Sequence, residues 1–302
     1  EEYAAFTGGC LYLTLNLSSH SCGASVTRVD DIDVFLLEQE SDNGELRSMA
    51  LAARELREPL TNVMITADSL FPLCAAESSP RTAEQVARLN RGLFQILRII
   101  GNMSDAERCA AVSHQETVDI PALFAEFFEK AETLVSHTGI TLTYEGPDQP
   151  IYGLADREQL ERAVLNILSN AIKFTPKGGT VTAKLTRSGR MLRLSVTDSG
   201  SGIAQSVRSS VFSRYLRQPA LEDSRYGIGL GMVLIRTAAA HHGGAVLIDQ
   251  PEGVGTRITM TMSIRQSKQA TLRSNVLRVD YAGERDHGLI ELSECLPTEL
   301  YE

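Results

Sequence analysis

The stretch that most constrains this chain is Leu165-Asn166-Ile167-Leu168-Ser169-Asn170-Ala171-Ile172-Lys173-Phe174. Val164, Leu165, Leu168, Ala171 and Ile172 recur at helical spacing and give one apolar face. Asn166, Asn170 and Lys173 stand at i, i+4 and i+7, so they share another face. Two amides and an ammonium on an otherwise apolar helix are costly to bury without partners. They face either solvent or a polar ligand. A polyphosphate carrying Mg²⁺ is one such ligand, because amide oxygens are hard metal ligands and a lysine is a point charge for phosphate.

Three downstream segments narrow the choice. Asp198-Ser199-Gly200-Ser201-Gly202 follows an alternating strand, Met191 to Val196. A carboxylate at a strand end followed by glycines lets a flat ligand approach the backbone, and Asp198 can accept a hydrogen bond from an exocyclic amine such as that of adenine. Gly227-Ile228-Gly229-Leu230-Gly231 runs into an apolar helix from Met232 to about Ala240, a pattern that builds an anion site from backbone N–H groups and the helix dipole. Gly253-Val254-Gly255-Thr256 sits between two strands, where taken alone it reads as a hairpin turn.

In this order the four segments resemble the N, G1, G2 and G3 boxes of the Bergerat-fold ATPases, the group that holds sensor histidine kinases, Hsp90-type chaperones, MutL-type repair proteins and type II topoisomerases. Val211-Phe212-Ser213-Arg214-Tyr215 resembles the F box of the histidine kinases, and His242-Gly243-Gly244 before a strand is also typical of them. The resemblance covers roughly residues 45–264. It implies an α/β sandwich that binds ATP with Mg²⁺. Asn166, Asn170, Lys173 and Phe174 would line the site from the helix, with Asn170 on the Mg²⁺. Asp198, Gly200, Gly202 and Ile203 would contribute from G1, Phe212 from the F box, Gly227, Gly229, Leu230 and Gly231 from G2, and Thr256 from G3. Ser199 to Tyr226 would form a lid, in which Arg214 and Arg217 either reach the terminal phosphates or are surface arginines. Hydrolases of the group carry a glutamate one turn before the metal-binding asparagine. Asn166 stands there instead, so phosphoryl transfer or simple binding is expected rather than free ATP hydrolysis.

Upstream, Leu46, Met49, Ala53, Leu56, Leu60, Val63, Ala67 and Leu70 recur at spacings of three and four, and Val86, Leu89, Leu93, Ile96, Ile100 and Met103 repeat the pattern. Phe71 to Arg81, with two prolines, reads as the turn between two antiparallel helices. Pairing two such hairpins into a four-helix bundle buries both sides of the seams and predicts a homodimer; the alternative is a hairpin packed on its own chain. The hairpin resembles the dimerisation and phosphoacceptor domain of histidine kinases. Arg54-Glu55-Leu56-Arg57-Glu58-Pro59-Leu60 stands against the family pattern His-Glu-Leu-Arg-Thr-Pro-Leu. Arg54 therefore occupies the place of the phosphorylated histidine, and a guanidinium is a poor nucleophile. No histidine lies between Leu46 and Val112. Glu55, the family's general base, is retained without a proton to take, and Glu58 replaces the Thr or Asn that orients a water in the family. The resemblance labels the chain a two-component signalling protein. It is either a pseudokinase that binds Mg·ATP, an active kinase phosphorylating another residue or a partner protein, or a non-catalytic dimeric scaffold; the partners the resemblance implies are a response regulator or a partner kinase.

The expected class is thus α+β, divided at residues 1–40, 41–113, 114–264 and 265–302. Residues 1–40 hold three β-like runs, Cys10–Leu17, Ala24–Val29 and Ile32–Leu37, which read as the end of a PAS-type domain or as a small sheet capping the next helix. Glu38 to Gly44 reads as a linker. The tail offers Val276–Tyr281 and Leu289–Leu292 as strands, for an add-on hairpin or a partner site. A net charge of −9 argues against nonspecific nucleic-acid binding. No apolar run approaches a spanning helix of about 18 residues, and the five scattered cysteines fit no zinc spacing and suit a reducing, cytoplasmic setting. The chain opens on Glu1 without a signal-peptide pattern, which leaves room for an upstream part, a membrane anchor included.

Overall fold

The helix over Arg157–Phe174 carries Asn166, Asn170 and Lys173, and it packs against several of the other elements. In chain order the elements are β1 (Cys10–Asn16), β2 (Ser21–Val29), β3 (Ile32–Leu37), α1 (Asp42–Ala76), α2 (Pro80–Ala111), β4 (Glu116–Asp119), α3 (Ile120–Val135), β5 (Thr141–Glu145), β6 (Tyr152–Ala155), α4 (Arg157–Phe174), β7 (Thr180–Ser188), β8 (Met191–Asp198), α5 (Leu230–His241), β9 (Val246–Asp249), β10 (Arg257–Ser263) and α6 (His287–Glu291). The computed structural model describes residues 3–4, 6–16, 21–29, 32–37, 42–76, 80–111, 114–203, 212, 230–251, 255–265 and 285–301.

Asp156 starts α4, its carboxylate accepting from the Gln159 amide at 3.2 Å, which satisfies one of the open donors of the first turn. Leu160, Ala163, Val164, Ile167, Leu168, Ala171 and Ile172 are buried along one side. Beside it, α3 begins with Pro121 in its first turn and buries Leu123, Phe124, Phe127, Phe128 and Ala131; Phe128 stacks on Tyr144 of β5 at 4.6 Å between ring centroids. Both helices lie on a sheet whose strands alternate as their sequence does: Val181, Ala183 and Leu185 of β7 and Leu192, Leu194 and Val196 of β8 point into the core. Each such buried aliphatic or aromatic side chain contributes about 1.5–3 kcal/mol.

The sheet has eight strands in the order β3-β2-β1-β9-β10-β8-β7-β5, with β5 and β7 parallel and the other pairs antiparallel. The three N-terminal strands continue this sheet: β1 runs antiparallel to β9, with Cys10 opposite Ile248 and Tyr12 opposite Val246. A separate pair, β4 and β6, brackets α3.

In the helical hairpin each seam divides. Ala53, Leu60 and Ala67 of α1 and Leu93 and Ile100 of α2 are buried, whereas Leu56, Val63 and Leu70 of α1 and Leu89 and Ile96 of α2 are each about half exposed. The turn is shorter than Phe71 to Arg81. Helix α1 continues through Pro72 to Ala76 and α2 already starts at Pro80, whose missing N–H costs nothing at a helix start. Helix α1 also begins at Asp42, inside the stretch read as linker.

The tail corrects a third expectation. Leu289–Leu292 is not a strand but lies in and just after α6: Asp286 caps the helix by accepting from the Leu289 amide at 3.0 Å, and Ile290, Leu292 and the later Leu296 are all buried in the core. Val276–Tyr281 lies outside the described residues.

Candidate functional site

The polar side chains of α4 do not share one fate. Asn166 is 1% exposed; its amide nitrogen donates to the Arg162 carbonyl at 2.9 Å and to Glu291 Oε2 at 3.4 Å. Gly231 at the start of α5 comes so close to it that a Cβ there would lie 2.6 Å from Asn166 Oδ1. Lys173 pairs with Glu294. Asn170 is half-buried and its side chain makes no hydrogen bond among the described residues, so its side-chain oxygen is available to a cation.

At the C-terminal end of α4 the chain meets the two glycine segments. Asp198 closes β8, is nearly buried, and accepts through Oδ1 from the Gly200 amide at 2.8 Å and the Thr256 amide at 3.1 Å. Its own amide donates to the Thr256 carbonyl at 2.9 Å. Burial pushes its carboxyl above the usual aspartate value, and the two amide donors only partly offset that. The arrangement needs glycine at 255, where φ is +76° and a Cβ would fall 1.8 Å from the Asp198 carbonyl oxygen. Phe174 ends α4, and its carbonyl borders Gly200. Gly202 and Ile203 follow, both half-buried. Contacts thus link α4 to the start of α5 and to the turn after Asp198, and Asp198 to Gly255 and Thr256.

Phe212 is 3% exposed; its ring lies 5.7 Å from that of Tyr12 and its carbonyl accepts from Arg236 Nη1 at 3.1 Å. Arg214, Arg217, Gly227 and Gly229 lie outside the described residues. Leu230 is buried beside Val233, against Met49 of α1 and Met103 of α2.

Residues 155–266 match the family described as histidine kinase-, DNA gyrase B-, and HSP90-like ATPase. An uncharacterized sensor-like histidine kinase of Rhizobium meliloti is 29% identical over 276 residues, covering 86% of this chain and 52% of that one. The adaptive-response sensory kinase SasA of Synechocystis is 28% identical over 264 residues, covering 82% and 68%. The crystal structure of full-length ShkA in complex with AMPPNP shares the fold, with a TM-score of 0.60 at 23% identity over 74% of this chain and 47% of that one. The chain is a homologue of the sensor histidine kinases. It spans about half the length of the Rhizobium relative.

As a histidine kinase homologue the chain carries its domain of the ATP-binding type on α3, α4, α5 and the sheet, and its hairpin on α1 and α2. Arg54 and Glu55 are exposed on α1, as are Glu58 and Pro59. Among the described residues no helix is long and apolar enough to cross a membrane. His242 serves the fold: its Nε2 accepts from the Asp156 amide at 2.9 Å, and its Nδ1 lies 2.7 Å from the Ala238 carbonyl, which makes Nδ1 the protonated nitrogen. The ring thus ties the end of α5 to the cap of α4.

Sequence reasoning missed the groups that surround the α4 polar face. Arg162 is almost fully buried, donates to Asn102 Oδ1 at 2.6 Å and meets Asp105 and, at 3.1 Å, Glu291. Arg98 reaches Ser169 Oγ at 3.2 Å, Glu291 at 3.4 Å and Glu294 at 3.1 Å. The one local signal was Arg162 itself, at i−4 from Asn166 on the same helix face, a buried position for a cation.

Proposed function

We propose that this sensor histidine kinase homologue binds Mg·ATP and regulates two-component signalling without phosphorylating itself at the usual place on the hairpin. Asn170 would hold the Mg²⁺, Lys173 and Asn166 would face the phosphates, Asp198 would accept from the adenine amine, and Arg214 would approach the terminal phosphate from the lid. Bound there, ATP supplies a transferable phosphoryl group; the chain's own residues bind and orient it.

The observation that carries the reading is Arg54. It is exposed on α1 within the Arg54–Leu60 segment, where the family places its phosphoacceptor, and no histidine lies between Leu46 and Val112. A guanidinium does not take up a phosphoryl group under conditions in which imidazole does. The half-exposed Leu56, Val63, Leu70, Leu89 and Ile96 support a homodimer through the hairpin, since a second copy would cover the outer half of both seams. A response regulator or a partner kinase would then read the shape of the dimer rather than a phosphohistidine on it.

Incubation with γ-labelled ATP and Mg²⁺ tests this. The wild-type chain is expected to stay unlabelled, and Arg54→His to acquire label stable to base and labile to acid. Label on the wild-type chain would instead establish a kinase with a different acceptor.

A further inference from the structure

Segment 287–301 lies between hairpin helix α2 and helix α4, and two of its carboxylates sit on the α4 polar face. Glu294 pairs with Lys173, and Arg98 Nη1 lies 3.1 Å from it. Glu291 is fully buried; it accepts from Asn166 at 3.4 Å and meets Arg162 at 3.1 Å and Arg98 at 3.4 Å. Cys295 Sγ lies 3.4 Å from the Ser169 carbonyl oxygen. The segment is fastened to α2 from its other side. Arg91 donates to the Ser293 carbonyl at 2.8 Å and the Glu294 carbonyl at 3.0 Å, Asn90 donates to the Tyr301 carbonyl at 2.8 Å, and the Phe94 and Tyr301 rings meet edge to face at 5.2 Å. Leu292, Leu296 and Tyr301 are buried behind these contacts.

We propose that segment 287–301 is an intramolecular latch that competes with Mg·ATP for Lys173 and Asn166 and, while docked, ties the hairpin to α4. The proposal rests on the nucleotide reading given above. A triphosphate brings several negative charges to Lys173. Glu294 already neutralises that ammonium, and Glu291 already takes the Asn166 amide. The Glu294 carboxylate and a triphosphate at contact distance around one ammonium repel one another, most strongly where solvent is excluded. Nucleotide entry therefore requires Glu294 to leave Lys173. By linkage, a docked tail weakens nucleotide binding by the factor with which nucleotide weakens docking. The tail's contacts with Asn90, Arg91 and Arg98 all lie on α2, so its release also loosens the hairpin from α4, which couples nucleotide occupancy to the hairpin.

The test uses the full chain in three forms: wild type, Glu294→Gln, and Arg91→Ala. The described hydrogen bonds of Arg91 all go to the tail, so that variant releases the latch without touching α4. Calorimetric titration with Mg·ATP is expected to show both variants binding roughly tenfold more tightly than wild type. Hydrogen exchange across 287–301 is expected to rise when wild type is saturated with Mg·ATP. If the segment keeps its protection at saturation and both variants bind as wild type does, the latch is overturned while the nucleotide reading stands. If none of the three chains binds, the nucleotide reading falls and takes the latch with it.

Discussion

The ring of Tyr12 on the first strand lies 5.7 Å from the ring of Phe212, and Arg236 of α5 holds both, its guanidinium 4.8 Å over the Tyr12 ring and its Nη1 donating to the Phe212 carbonyl at 3.1 Å. The N-terminal strands thereby help to hold Phe212. Removing the Tyr12 ring empties a buried site and deprives Arg236 of its aromatic face. Tyr12→Ala should cost about 3 kcal/mol, read as a lower urea midpoint at unchanged slope.

Asn170 and Asn166 should separate binding from stability. The Asn170 side chain makes no hydrogen bond among the described residues, so Asn170→Ala should change stability by less than about 0.5 kcal/mol yet remove Mg²⁺-dependent ATP affinity. Asn166 is buried and bonded to the Arg162 carbonyl and to Glu291, so Asn166→Ala should also destabilise the fold by about 1–3 kcal/mol. Paired calorimetry and urea denaturation measure both quantities.

Acid should weaken nucleotide binding through Asp198. Burial holds its carboxyl above the usual value in spite of the Gly200 and Thr256 amides. A carboxyl raised in the fold disfavours folding above its unfolded pKa, and that penalty fades as pH falls through the folded pKa. Accepting from an adenine amine requires the ionised form, so ATP affinity should decline on acidification at a pH higher than an ordinary aspartate would set. Asp198→Asn should bind weakly with no such dependence; equal pH profiles for the two chains would contradict the assignment.

His242 should set a second pH effect, on the fold itself. Burial lowers its pKa from the ordinary value of 6.5, with the Ala238 carbonyl and Asp156 opposing. Protonation would turn the Nε2 acceptor into a donor facing the Asp156 amide. A base with a depressed folded pKa contributes stability that is complete above the unfolded value and is lost as pH falls through the folded one. Urea midpoints should therefore drop below pH 6.5 in wild type, and His242→Asn should show a flatter profile.

The hairpin surface should respond to charge. Leu56 and Ile96 are about half exposed in the single chain, so Leu56→Glu with Ile96→Glu should leave the monomer folded. Sedimentation should show a dimer for wild type and a monomer for the double variant.

Much of the fold was legible because its signals are local. The β7 and β8 alternation, Asp156 before an amphipathic run, and Pro121 in a first turn each act within a few residues. The misreadings at Phe71 to Arg81 and Leu289–Leu292 have one cause. Proline and short apolar runs carry opposite local meanings, and packing decided between them: Leu292 went into the core as part of a capped turn, not as a strand. The extension of the sheet by β1 was not legible, because nothing in Cys10–Asn16 encodes pairing with β9.

By itself the amino-acid sequence determined which side chains share the α4 face, which glycines border Asp198, and that an arginine stands at position 54, since periodicity and spacing are properties of neighbouring residues. Only the tertiary structure decided that Lys173 meets Glu294, 121 positions away, and that Arg98 and Arg162 share Glu291. Charges pair wherever the folded chain brings them within reach and excludes water, and that distance is not written in any local pattern.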